Sequence, residues 1–264
     1  MPFTPSHIAA VLPFVRRPLA SAALVIGSMV PDLSFFLPLG LHREQTHSLA
    51  GILPFDVPLA IACLLVWFLV VRAPLLDFAP AWLRRRMPSP RALPSNWPAR
   101  LRVALVVLVS VLVGIVTHLL WDSFTHSDGW AVLRVALLRE PLGPFTVYRW
   151  AQYASSLMGL AIVAGWAARW VRATAPHALP TSRVSGRWRV TAWVVVAVVV
   201  AAIALGILVG GIVSGAGAFD RTVLYRSATR SLSVGGVFVA LVCLAWHLLP
   251  RGARPTAETS EGVR

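Results

Sequence analysis

The sequence predicts an all-α, polytopic helical membrane protein with a short N-terminal helical hairpin and about five longer spans. Three observations predict it. Of 264 residues, 57% are hydrophobic and 13% charged, whereas a soluble domain of this size carries about a quarter charged residues. Mean hydropathy is +0.73. Several apolar runs approach the ~20 residues that a helix needs to cross a bilayer.

The elements follow in order. "TPSHIAAVLPF" reads as a short helix, with Thr4 as its cap, Pro5 at the first helical position and His7 in the first turn. Pro18 to about Leu39 is a second apolar segment, and Arg16 and Arg17 mark the turn between the two. "RR" before "LASAALVIGSMV" has the look of a signal peptide, but no small-residue cleavage site precedes "VPD" and more spans follow, so the segment is read as retained. Longer spans are expected at Gly51–Val71, Leu101–Asp122, Gln152–Val171, Val190–Val213 and Leu232–Leu249. Residues 72–100 form a Pro- and Arg-rich loop. The chain thus divides into a membrane domain over 1–171 that carries the candidate site, two further spans within 172–249, and a disordered cytoplasmic tail at 250–264. Cys63 and Cys243 lie in separate apolar runs and offer neither a disulfide framework nor a CxxC site.

The formal charge is +14, and every basic residue is Arg. The arginines sit mainly between apolar runs, with no basic groove motif, which argues against nucleic acid as a partner. That placement suits topology determinants and contact with the bilayer's anionic headgroups. With the 72–100 loop inside, seventeen of the 24 arginines face the cytoplasm. The plasma membrane and a cytoplasmic 72–100 loop are therefore the expected arrangement. His47 then precedes the span descending to that loop, and His118 and Asp122 end the span rising from it. His7 and Asp32 lie toward the open end of the hairpin, on the same outer face.

Chemistry concentrates in these places. His118 and Asp122, four apart in "THLLWD", share one helix face. Alone, such a pair is commonly satisfied by a neighbouring helix. "HREQTHS" adds His42 and His47, with Thr46 as the expected cap of the next helix. "MVPDLSFF" sets Asp32 among apolar residues, where ionisable groups are costly and usually functional. Asp56 in "LPFDVPLA" lies inside a span just past His47, as ligand, general base or partner of a hydroxyl. His126 and Asp128 in "THSDG" read first as a solvated turn, and otherwise as side chains beside the site or facing substrate. His177 and His247 read as structural. Asp32, His118 and Asp122 fall near helix C-termini, which favour cations, and His7 and His47 near N-termini, which favour anions.

In order, "SH", "PD", "H-x-x-x-THS" and "G-x-x-TH-x-x-x-D" resemble the bacterial membrane-bound metal-dependent hydrolases of the inner membrane. The opening "MPFTPSH", the run "THLLWDSFTH" and Tyr148, Gln152, Ser155, Ser156 and Gly159 more closely resemble a related multi-pass family known only as a domain of unknown function. The resemblance covers roughly residues 1–170. It implies a metal site made from His7, Asp32, His47, His118 and Asp122, with His42, Thr46, Thr117, His126, Asp128 and Gln152 around it. Two departures stand out: "HREQTHS" lacks the glycine of the hydrolases' "HRG-x-THS", and Tyr153 follows Gln152 where many relatives carry His.

The leading expectation is a metal-dependent hydrolase of a lipid, a phosphoester or another envelope substrate at the outer face of the plasma membrane. Imidazoles with carboxylates suit Zn²⁺ best, with Mn²⁺ or Fe as alternatives. Asp56 and Asp122 are the catalytic candidates, as base if not coordinated. The rivals are an ion or small-solute transporter, for which Pro31, Pro54 and Pro58 permit broken helices, and a non-catalytic scaffold with a structural metal.

Overall fold

The computed structural model describes residues 4–15, 18–88, 94–178, 181–217 and 220–249. Arg16, Arg17 and the polar tail lie outside them. Five helices are long and apolar enough to cross a membrane: α1 (Leu49–Phe78), α2 (Trp97–Thr125), α3 (Val147–Ala173), α4 (Gly186–Val213) and α5 (Arg221–His247). The only strands among the described residues are the two-residue pair Pro141–Leu142 and Phe145–Thr146. The chain forms two compact units, Met1–Phe68 with Pro88–Ala175, and Leu69–Met87 with Pro176–Arg264. The second unit thus takes in residues 69–87 as well as the last two spans.

In the first unit, the short helices Thr4–His7, Ile8–Val11 and Ser21–Gly27 make the N-terminal hairpin. Apolar burial gives little drive to associate helices within lipid, so close packing of small residues takes over. Ser21–Gly27 lies so tightly on α2 that a Cβ at Gly27 would come 2.4 Å from the Val111 carbonyl oxygen, and one at Gly114 2.4 Å from that of Leu24. The Ser110 hydroxyl accepts from the Ala20 amide at 2.9 Å and helps to set this register. Ala23, Val30, Ile52, Val57, Ala60 and Ile115 pack together beneath the polar cluster. On α3, Gly159 admits the Thr4–His7 turn, since a Cβ there would meet the Ser6 carbonyl oxygen at 2.8 Å.

α1 begins at a Ser48 cap, whose hydroxyl accepts from the Gly51 amide at 3.1 Å. It has two π-helical wide turns, Ile52–Asp56 and Trp67–Val71. In the first, the Val57 amide bonds to the Ile52 carbonyl, five residues back. The adjoining Pro58 has no N–H to donate to the fourth residue back.

The second unit corrects two sequence expectations. The first part of the expected 72–100 loop is helical: α1 continues to Phe78, and a further turn spans Ala81–Arg84. α5 starts at Arg221 rather than near Leu232. The Asp220 carboxylate caps it by accepting from the Thr222 and Val223 amides at 2.9 and 3.0 Å. Its polar first half lowers the hydropathy, yet Ser227 and Ser231 are buried, and Ser227 donates to the Ala204 carbonyl of α4 at 2.9 Å.

Asp77 is the fastening point of this unit. Its carboxylate accepts from the Ser182 hydroxyl, from the Arg183 amide at 2.9 Å and from Trp246 Nε1 at 2.8 Å. Arg84 Nη2 stands 3.7 Å away, and both side chains are buried. Arg189 Nε donates to the Asp77 carbonyl at 3.1 Å, and Arg183 lies over the Trp246 ring at 4.1 Å. His247 Nε2 is bonded to the Val70 carbonyl at 2.9 Å, in keeping with a structural role.

Two stability effects follow. Asp77→Ala removes the acceptor of the Ser182 hydroxyl, the Arg183 amide and Trp246 Nε1, together with the charge facing Arg84, and is expected to cost about 3–5 kcal/mol, read as a large fall in the thermal unfolding midpoint of the detergent-solubilised protein. Gly114→Ala is expected to destabilise strongly because backbone, not a side-chain tip, blocks the new methyl group. Gly165→Ala, which meets open space on α3, is expected to raise stability by about 0.5–1 kcal/mol in the same assay.

Candidate metal centre

Three elements deliver the cluster. Asp32 ends the turn Val30–Asp32, which follows the hairpin helix packed on α2. His47 stands at the C-cap of the short helix Arg43–Thr46. His118 and Asp122 come from successive turns of α2. One ligand atom from each of these four lies within 4.8 Å of the other three. His47 Nε2 is 3.3 Å from Asp32 Oδ1, 3.4 Å from Asp122 Oδ2 and 3.4 Å from His118 Nε2. His118 Nε2 is 3.7 Å from Asp32 Oδ1 and 3.6 Å from Asp122 Oδ2. No side chain of the four is more than 7% exposed.

Both imidazoles are held with Nε2 inward. His118 Nδ1 is 2.8 Å from the Ser28 carbonyl, which only accepts, so Nδ1 carries the proton. The Gly27–Gly114 contact sets this distance by bringing the end of the hairpin helix onto α2. His47 Nδ1 is 3.0 Å from the Thr46 hydroxyl, which is itself turned to the Arg43 carbonyl. With Nδ1 donating, each neutral ring presents an Nε2 lone pair to the two carboxylates. Four electron-rich atoms then surround one point, and they call for a cation there. The four can hold a metal ion. The same demand acts on His47: burial opposes its charged form, but hydrogen bonds to Asp122 and Asp32 outweigh burial and raise its pKa above the ordinary value.

His7 is next to this group rather than one of the four. Its ring stacks on His118 with centroids 4.0 Å apart, and its Nε2 is 3.4 Å from Asp122 Oδ1, the oxygen turned away from the cluster. Neither ring nitrogen has a hydrogen-bond partner among the described residues. Burial, with the nearby His118, pushes its pKa down to about 3, so it stays neutral.

A ring of supports holds the carboxylates. Thr4 does not cap its helix as expected; its hydroxyl donates to Asp32 Oδ2 at 2.7 Å. Thr46 is not the cap of α1 either, because Ser48 takes that place and Thr46 steadies His47. His47 accordingly precedes α1 instead of sitting in its first turn. His126 Nδ1 is 3.2 Å from Asp122 Oδ2, and its Nε2 is 3.3 Å from the Gln152 side-chain amide. Arg43, which the sequence did not single out, donates to Asp122 Oδ2 at 3.2 Å and to Asp128 Oδ2 at 3.0 Å. Its place four residues before His47 in "HREQTHS" was the available signal.

Two expected neighbours stand apart. His42 is exposed, with its backbone amide on the Gln45 side chain at 2.8 Å. The Thr117 hydroxyl bonds back to the Gly114 carbonyl of its own helix at 2.8 Å. Asp56 is fully buried, and neither carboxylate oxygen has a hydrogen-bond partner among the described residues. Its turn, Ile52–Asp56, packs against the short helix Arg43–Thr46 and against α2.

The α3 motif is explained by the same packing. Gln152 meets His126, Ser155 accepts from Trp121 Nε1 at 3.1 Å, and Gly159 seats the turn that carries His7. Tyr153 is exposed and packs edge-on against Phe145, outside the cluster. No curated protein and no solved structure matches the sequence significantly. A family model described as "Domain of unknown function (DUF4184)" matches residues 1–247, so the chain belongs to that family.

Proposed function

We propose that the protein is a membrane-bound metal-dependent hydrolase, with Zn²⁺ as its ion, acting on a lipid, phosphoester or other envelope substrate at the outer face of the plasma membrane. One observation carries the reading: the spacing of the four ligand atoms. Tetrahedral zinc bound at about 2.0–2.1 Å has ligand–ligand edges of about 3.3–3.4 Å. Five separations within the cluster run from 3.3 to 3.7 Å. The donor set, two imidazoles and two carboxylates, suits the same ion. The arginine bias of the loops supports the sidedness.

An ion held by Asp32, His47, His118 and Asp122 would acidify a water and polarise the scissile group. The chain's own residues supply the rest. Ser28 and Thr46 hold the imidazole tautomers, in the manner of the partners that orient metal-bound histidines. Arg43 and His126 brace Asp122. With Asp32 and Asp122 committed as ligands, Asp56 is the carboxylate left free to move a proton. Hydrolysis adds a water oxygen to the ester's phosphorus or carbonyl carbon and breaks the ester bond to the leaving oxygen. Asp56 takes the water's proton and returns it to that leaving oxygen, so an alcohol departs and the enzyme is regenerated.

A second reading has its own support. Four side chains alone complete a tetrahedral shell, which is the form of a structural zinc site. Two features favour catalysis over it. His47 and Asp122 border an open groove, and Asp56 is a buried carboxyl group with no hydrogen-bond partner among the described residues.

His118→Ala and Asp122→Ala are each expected to bring the purified protein's divalent metal from one ion per chain to background by elemental analysis. Wild-type protein purified without bound metal would overturn the proposal. Asp56→Asn is expected to keep its ion and lose about 10²–10⁴-fold in ester hydrolysis. Undiminished turnover would remove Asp56 from the mechanism. Metal-dependent solute uptake in liposomes without hydrolysis would point to a transporter instead.

A further inference from the structure

The groove that reaches the cluster has a volume of about 400 Å³ and is lined by polar side chains, Arg43, His47, Asp122 and Asp128, together with apolar ones, Leu49, Val116, Leu120 and Trp130. Leu49 is 81% exposed and Leu120 60%. Both belong to helices long and apolar enough to cross a membrane. The apolar part of the lining thus includes exposed side chains of membrane-length helices, a surface that suits a hydrocarbon chain.

Arg43 is part of the polar lining. Its Nε is bonded to Asp128 and its Nη2 to Asp122, while Nη1 is buried and has no hydrogen-bond partner among the described residues. A buried guanidinium N–H without an acceptor is costly, and its natural complement is an anionic oxygen. This separates the candidate esters. A carboxylic ester is neutral and offers Arg43 no charge before it is cleaved. A phosphoester keeps an anionic oxygen while it is still esterified, and the guanidinium fork suits it.

Resting on the hydrolase reading for the word substrate, we propose that the substrate is a lipid phosphoester, bound with an anionic phosphate oxygen on Arg43 Nη1 and its hydrocarbon chain along Leu49, Val116, Leu120 and Trp130. Arg43 is then the residue that selects phosphate, and the groove the element that selects a lipid over a soluble phosphate.

The test uses the full chain, metal-loaded and reconstituted in phosphatidylcholine, and reads the association of spin-labelled phosphatidic acid against spin-labelled phosphatidylcholine. Wild type is expected to prefer phosphatidic acid. Arg43→Gln, which removes the donor, and Val116→Trp, which fills the groove, are each expected to lower that preference about tenfold. Arg139→Gln, an exposed arginine on the short helix Ala136–Arg139 and outside the groove lining, is expected to leave it unchanged, and glycerol phosphate is expected not to compete. An equal loss in Arg139→Gln would reduce the effect to diffuse positive charge and overturn the proposal. So would displacement by glycerol phosphate, or an unchanged preference in Val116→Trp, which touches no ligand and tests the groove even if Arg43→Gln fails to fold. Since binding is read without turnover, the two readings fail separately. Lipid selection through Arg43 without hydrolysis sinks only the hydrolase, and His118-dependent hydrolysis indifferent to Arg43 sinks only the lipid phosphate site.

Discussion

Asp32 and Asp122 place two carboxylates against the same pair of imidazoles, almost wholly buried. In a low-dielectric interior, negative charge must be matched nearby or neutralised. The polar contacts around the cluster answer that demand. Thr4 donates to the outward oxygen of Asp32, while Arg43 and His126 reach the same Asp122 Oδ2 that faces the two Nε2 atoms, and Asp32 Oδ1 is left for those atoms and whatever cation joins them. The apolar helices serve as a scaffold that keeps bulk water away. Even the glycine contact between the hairpin and α2 belongs to this arrangement, because it brings a backbone carbonyl to the far side of His118.

The sequence exposed the ligand candidates because ionisable side chains are rare in hydrocarbon-length runs. His118 and Asp122 follow from helical spacing, and Asp32 and Asp56 from their apolar company. Geometry at the chain's bends was illegible. Thr4 and Thr46 both look like helix caps, since Ser and Thr prefer that position. Only the fold shows that one hydroxyl is taken by a carboxylate and the other by an imidazole. Arg43 was hidden for a different reason. In a chain whose cations are all arginine, each one reads first as a topology signal, and nothing local marks the one that turns inward.

The second unit shows why span limits drift. Hydropathy assigns a polar residue to a loop, whereas Asp77, Ser227 and Ser231 are buried polar residues satisfied by neighbouring chain. A carboxylate that gathers a hydroxyl, an amide, an indole and a guanidinium has no unmet demand left for a ligand. Asp56 is the opposite case in the same helix α1: a carboxyl group equally buried and bonded to nothing among the described residues. The contrast between a saturated acid and an idle one separates architecture from chemistry more sharply than burial alone.

The wide turn Ile52–Asp56 bears on how this protein tolerates change in length. A π-helical turn holds one residue more than the α-helical register needs. Deleting a residue there would restore an ordinary spiral and swing the side chains on one side of the cut by about 100° relative to those on the other. The fully buried Asp56 would turn out of its present place, although composition and hydropathy would scarcely alter. A lineage could thus move this acid through a single-codon deletion while remaining, to any measure of greasiness, the same membrane protein.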